Sequence, residues 1–169
     1  MTMTDTPLDR GAFIRAAMIL VPLLQLAGGG FARYSGAIGS NPWYQALALP
    51  AWQPPGPVFG IAWTILYALI AVAAALVWGH TRATNRTVAL ALWATQMVLN
   101  WIWSPLFFRL HELAASTLLI VAILLVSIAA TFAFARISRL APWLMVPYLI
   151  WLSFAAVLNL RVLQLNPGA

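Results

Sequence analysis

Residues 113–135 read LAASTLLIVAILLVSIAATFAFA, a run with no Asp, Glu, Lys or Arg. A stretch of about 20 apolar residues is long enough to cross the hydrocarbon core of a bilayer as a helix. The same pattern extends outward on both sides. No Asp, Glu, Lys or Arg occurs between Arg33 and Arg82, from Thr87 to Phe108, or from Leu140 to Leu160. The runs are continuously apolar rather than alternating. In lipid, where every backbone group must be satisfied internally, that favours helices over a closed barrel. The expected fold is therefore an all-α integral membrane protein. It is a five-transmembrane-helix bundle with helices at about 12–32, 56–79, 87–108, 113–135 and 141–163. The five form a single membrane domain over residues 12–165, after a short polar lead-in at 1–11. Arg10 and Arg15 before an apolar run resemble a signal peptide. The run from Ile14 to Phe31 is too long for one, however, and Gly28-Gly29-Gly30 is not a small-x-small cleavage site.

Composition narrows the chemistry. Of 169 residues, 63% are apolar and 7% charged, against roughly 25% charged in ordinary soluble domains. So few charges cannot cover a water-soluble monomer. All nine cationic residues are Arg and there is no Cys. That removes lysine Schiff bases, thiol nucleophiles, disulfides, iron–sulfur clusters and Cys-ligated zinc. The formal charge of +6 comes from arginines set singly between apolar runs. That is the spacing of membrane loops and not of a basic stripe, so no nucleic-acid partner is expected. Intramembrane carboxylates mark proton and ion paths, and none lies mid-span here. His80 and His111 fall at opposite membrane edges, which gives a haem iron no axial pair inside the bundle. Ser104, Ser127 and Ser153 have no His and Asp partners for triad hydrolysis. No metal site and no required cofactor is expected.

Arginine counting sets an expected orientation. Arg10, Arg15, Arg82, Arg86, Arg136 and Arg139 share one side, and Arg33, Arg109 and Arg161 the other. In an outer membrane the count sets no orientation; in a bacterial inner membrane it places the N-terminus inside and the C-terminus outside. The long connection at 33–55 then faces outward. Its prolines, glycines and aromatic residues, with a short turn at Trp43 to Ala48, point to a structured lid.

The remaining polar groups are uncharged and ride on aromatic faces. Trp93, Gln96, Asn100, Trp103 and Phe107 recur at helical spacing on the third span. Tyr148, Trp151, Ala155 and Asn159 do so on the fifth, and Phe59, Trp63 and Tyr67 on the second. Such faces serve either as helix–helix packing with amides as interhelical glue or as an apolar pocket with a few orienting hydrogen bonds. Ala155, one turn past Trp151, leaves room for a flat ligand beside the indole. The small-residue pairs Ala91/Thr95 and Ala71/Ala75 are candidate dimer faces.

Three ordered blocks carry a family resemblance. The first is Trp43-Tyr44-x-x-Leu47-x-x-Pro50-x-Trp52-x-Pro54-Pro55, followed by Val58-Phe59 and Ala62-Trp63-Thr64-x-Leu66-Tyr67. The second is Gln96-x-x-Leu99-Asn100-x-x-Trp103-x-Pro105-x-Phe107-Phe108. The third is Val146-Pro147-Tyr148-Leu149-x-Trp151-x-x-Phe154-Ala155-x-x-Leu158-Asn159. Together they resemble the TspO/MBR family, the tryptophan-rich sensory proteins related to the translocator protein or peripheral-type benzodiazepine receptor.

The resemblance implies five membrane helices with a first loop over a ligand pocket, in the cell membrane of a bacterium. It implies binding of tetrapyrroles such as protoporphyrin IX and haem, and of isoquinoline carboxamide and benzodiazepine ligands. It places Tyr44, Pro54, Trp63, Asn100, Trp151 and Ala155 in that pocket, and the helix faces add Trp103, Tyr148 and Asn159. Trp63 and Trp151 match the tryptophans implicated in light-dependent porphyrin breakdown by some members. The small residues on the third helix, Ala91 and Thr95, match where family homodimers pack. Two departures stand out. Leu49 replaces a Lys often found before the first loop proline. The sterol-recognition pattern is incomplete, because no Tyr occurs in Val157-Leu158-Asn159-Leu160-Arg161.

Three functions follow from these residues. A porphyrin-binding sensory protein would stack the macrocycle on indoles, hydrogen-bond its edge to Asn100 and meet a propionate with Arg33 or Arg109. A porphyrin-degrading enzyme would depend on light and on Trp63 and Trp151. A porphyrin or sterol transporter would be expected to show internal repeats or broken helices around a midplane site, and neither is evident.

Overall fold

The computed structural model describes residues 7–168. Over that range it is helical, with no strand among the described residues. Five long helices, α1 (Arg10–Ser35), α3 (Gly56–Gly79), α4 (Arg86–Phe108), α5 (Leu113–Ala135) and α6 (Ala141–Leu165), are joined by one short helix, α2 (Pro42–Ala46). The long helices begin and end within a few residues of the expected spans, because charged residues punctuate most of their ends and Pro54-Pro55 precedes the start of α3. Part of the lead-in expected at 1–11 lies outside the described residues. Its described end is a helix start: the Asp9 carboxylate accepts the Ala12 N–H at 3.0 Å and caps α1. At the other end, Gly36 takes a left-handed conformation (φ 80°) and returns its N–H to Ala32 and Arg33.

Four helices, α1, α3, α5 and α6, are long and apolar enough to cross a membrane. The chain is a multi-pass membrane protein. The fifth long helix, α4, has the length but less hydropathy, because Gln96 and Asn100 stand among its aliphatic and aromatic residues. Length and hydropathy thus support four of the five expected crossings, and α4 is not among them.

The long helices pack in a closed ring, α1–α3–α6–α5–α4 and back to α1, with α3 also touching α4 across it. Short connections after α4 and α5 set each next to its successor, as in antiparallel bundles. The centre is built from α3, where Ala71, Ala73, Ala74 and Ala75 have no exposed surface. Small residues let neighbouring backbones come close. The Ala71/Ala75 pair is thus spent on packing within the chain and is no dimer face. Ala91 and Thr95 are exposed on the outside of α4.

The tightest approach in the ring is between α1 and α3. Gly28 is buried, and a Cβ built there would overlap the ring of Tyr67. Gly29 and Gly30 have nothing within 4 Å of such a Cβ. Helix direction places Arg10, Arg15, Arg82, Arg86, Arg136 and Arg139 at one end of the bundle, and Arg33, Arg109 and Arg161 at the other.

This geometry separates three adjacent glycines. Gly28→Ala should destabilise the protein by about 1–3 kcal/mol through overpacking. Gly29→Ala should be neutral or gain up to about 1 kcal/mol, because a helical Gly is replaced by Ala. Thermal unfolding in detergent reads both, and equal effects at the two positions would contradict the Gly28–Tyr67 contact.

Candidate ligand site

The inward stripes of α3, α4 and α6 meet in a hydrogen-bonded network. The Tyr67 hydroxyl donates to Asn100 Oδ1 at 2.9 Å. Asn100 Nδ2 donates to the Tyr148 hydroxyl at 3.3 Å, and Tyr148 donates to Gln96 Oε1 at 2.7 Å. Ser127 of α5 donates to the same oxygen at 3.4 Å. All five side chains are buried. The chain is cooperative in a low-dielectric interior, and every link left unmade is costly. Two further indoles are tied to backbone: Trp93 Nε1 donates to Ile70 O at 3.2 Å and Trp103 Nε1 to Ser116 O at 3.1 Å.

Directly on the loop side of this network lies an aromatic cluster. Trp63 sits 5.2 Å from Tyr67 and 6.3 Å from Tyr148 between ring centroids. Trp151 stands 6.5 Å from Trp63, nearly perpendicular at 81°. Phe59 meets Trp151 edge-on at 5.6 Å, and Phe154 lies beside it at 5.6 Å. Edge-to-face pairs of this kind follow from the ring quadrupole. Trp63, Trp151 and Ala155 are only half-buried. The structure therefore brings together five of the expected residues, Trp63, Asn100, Tyr148, Trp151 and Ala155.

The others are placed differently. Trp103 stacks on Phe107 at 5.2 Å and, through its bond to Ser116, faces α5. Tyr44 packs its edge against Phe108 at 5.2 Å and takes a hydrogen bond from Gln53 at 2.8 Å. Burial pushes the Tyr44 phenol above its usual range, and the Gln53 contact offsets part of that. Pro54 is half-buried just before α3. Asn159 is buried one turn beyond Ala155, its Nδ2 on the Ala155 carbonyl at 3.3 Å and its Oδ1 unpartnered. Gln96 Nε2 is also buried without a partner. Arg109 lies 4.4 Å over the Tyr34 ring and donates to Tyr34 O at 3.3 Å, and Arg33 is exposed at the end of α1.

The connection between α1 and α3 is pinned across the loop end of the ring. Asn41 caps α2 by accepting the Tyr44 N–H at 3.1 Å, and its Nδ2 donates to Phe108 O at 3.1 Å. Trp43 stacks on His111 at 4.1 Å. Ala48 and Asn166 exchange two bonds, at 2.8 Å and 2.9 Å. Trp52 meets Phe154 at 5.8 Å. Sequence alone assigns no role to Asn41 or Asn166. Asn41 carried a signal, since an Asn before Pro is a good N-cap. Asn166 carried none, because its partner is 118 residues away. Two open concavities lie elsewhere, one of about 380 Å³ on the outside of α1 and one of about 500 Å³ between α5 and α6 at the far end.

The chain is similar to several known proteins. Residues 18–165 match the TspO/MBR family. Protein CrtK of Rhodobacter capsulatus is 40% identical over 136 residues, covering 79% of this chain and 85% of the relative. Tryptophan-rich protein TspO of Chlorobaculum tepidum is 40% identical over 126 residues, covering 74% and 80%. Translocator protein of Sus scrofa is 35% identical over 152 residues, covering 88% of both.

The network makes a specific energetic prediction. Asn100→Leu strands the buried Tyr67 hydroxyl and should cost about 1–3 kcal/mol. Adding Tyr67→Phe should recover part of that loss, because no polar group is then left unmet. Melts of the two single variants and the double variant test this, and strictly additive losses would contradict the coupling.

Proposed function

This chain belongs to the TspO/MBR family, and we propose that it is a five-span, tetrapyrrole-binding sensory protein of a bacterial cell membrane, N-terminus inside. The single observation that carries the reading is the half-buried aromatic cluster Trp63–Trp151, walled by polar groups and roofed by a pinned loop. In this reading α4 is the fifth crossing. Gln96 and Asn100 face the network, and the exposed side of α4 carries aliphatic residues with Thr87 and Thr95, so its amides are kept from lipid.

A tetrapyrrole is flat, apolar and edged by carboxylates. The two indoles are perpendicular, so the macrocycle stacks on one and meets the edge of the other. Ala155 supplies space, and the unpartnered Asn159 Oδ1 accepts a hydrogen bond from the ligand. Asn100 already has a partner at each end of its amide, so it acts mainly by holding Tyr67 and Tyr148 in place. Propionates reach Arg33 or, once it leaves Tyr34, Arg109, as charge-assisted contacts. The loop has to lift for entry, because its bonds to Phe108 and Asn166 close that end. The same aromatic cluster fits isoquinoline carboxamide and benzodiazepine ligands, and Ala91 and Thr95 offer an outward face for a homodimer.

The perpendicular Trp63–Trp151 pair also supports a second reading, light-dependent breakdown of the bound porphyrin. One experiment addresses both. The detergent-purified protein is titrated with protoporphyrin IX, reading tryptophan fluorescence in the dark and porphyrin absorption under light. Saturable quenching is expected, weakened about tenfold or more by Ala155→Trp, which fills the space beside Trp151. Absence of saturable quenching, or indifference to Ala155→Trp, would overturn the binding site. Light-dependent absorption loss that disappears in Trp63→Phe/Trp151→Phe would support breakdown, and equal dark and light rates would remove it.

A further inference from the structure

The end of the bundle away from the loop collects six arginines, with Asp9 the one acidic residue described there. Asp9 is occupied in capping α1. Arg86 is held as well: it donates to Trp78 O at 2.9 Å and lies 5.2 Å over the Trp78 ring. Arg136 and Arg139 differ. Both are exposed, and neither guanidinium is hydrogen-bonded to a described residue. Arg139 lines the open concavity of about 500 Å³ between the end of α5 and the start of α6, and Arg136 lies three residues before Arg139, just past the end of α5.

The lining of this concavity is graded. Ala135 and Val146 form an apolar wall, joined by Thr131, whose hydroxyl is already bonded to Ser127 O at 2.8 Å. Arg139 is the exposed polar group of the lining, while Ser138 is buried and accepts the Ala141 N–H at 3.3 Å. Trp143 lines the concavity with 70% of its surface exposed. An exposed Trp at a helix end is the amphipathic anchor of a membrane–water interface. A cationic lip over an apolar trough, at headgroup depth, matches a lipid with a negative headgroup. A second copy of the chain would bring like charge to this end, and a free anion would make no use of the apolar wall.

We propose that this groove binds one anionic glycerophospholipid. An acyl chain lies along Ala135 and Val146, the phosphate is held by Arg139 and Arg136, and Trp143 packs beside the glycerol. The site is separate from the tetrapyrrole cluster and does not depend on that reading.

The test titrates the purified full chain in detergent with phosphatidylglycerol or phosphatidylcholine of identical acyl chains, counting bound lipid by native mass spectrometry. Wild type should prefer phosphatidylglycerol by about tenfold, as expected for two arginines near an anionic headgroup. Arg136→Gln/Arg139→Gln should erase the preference, while Arg161→Gln at the other end should keep it. Both arginines are exposed, so the double variant keeps its fold, which circular dichroism verifies. Ala135→Phe, filling the trough with the arginines intact, should weaken phosphatidylglycerol several-fold. The proposal is overturned if phosphatidylglycerol is not preferred, or if the double variant still prefers it. It is equally overturned if glycerol phosphate competes as well as the lipid does, or if Ala135→Phe changes nothing.

Discussion

A polar side chain buried in an apolar bundle must find a partner inside the protein, and the chain Tyr67–Asn100–Tyr148–Gln96–Ser127 is how this molecule meets that demand. The network has a member on each of α3, α4, α5 and α6. Between helices in a bilayer, burial of apolar surface selects no partner, because lipid is as apolar as leucine. Hydrogen bonds and close backbone approach have to do the selecting. The network supplies the first. The alanines of α3 and the bare Cα of Gly28 supply the second, and the two meet at Tyr67, which packs on Gly28 and bonds Asn100. α1, which has no member in the network, is attached through that same residue.

The network also divides the interior. On its loop side the packing turns aromatic and only half-buried, with Trp63, Trp151 and Phe154 beneath a connection tied at Asn41 and Asn166. On its far side α3 is a column of small residues, closed at the end by the Asp9 N–H on Gly79 O at 2.9 Å. The two ends differ in charge as well, with aromatic rings roofing one and arginines crowding the other. The proposed flat, apolar ligand is assigned to the first and the proposed anionic headgroup to the second.

Much of this was legible in the sequence for a simple reason. With so few charges, most arginines fall at or near helix ends and the prolines before Gly56 mark the start of α3, so the five long helices and their directions follow from the sequence. The stripes on α3, α4 and α6 were readable from helical spacing, and their inward faces are the observed ones. Spacing does not reveal which inward residue meets which. That is why the Ala71/Ala75 pair reads as a candidate surface until α1 is seen against α3. It is also why Asn100 reads as a ligand group when its amide is already engaged by two tyrosines. Trp103 carries the right period, yet its single N–H goes to Ser116. The clamp at Asn166 joins segments too far apart in sequence for any local signal.

The central claim is that the Trp63–Trp151 cluster, and no other aromatic surface, receives a tetrapyrrole. The most direct measurement is fluorine NMR of protein labelled with 5-fluorotryptophan, its nine signals assigned by single Trp→Phe substitutions and followed as protoporphyrin IX is added in the dark. The account predicts saturable shifts or broadening at Trp63 and Trp151, with Trp78 and Trp143 at the opposite end unchanged. Saturable changes at Trp78 or Trp143 that leave Trp63 and Trp151 untouched would contradict it.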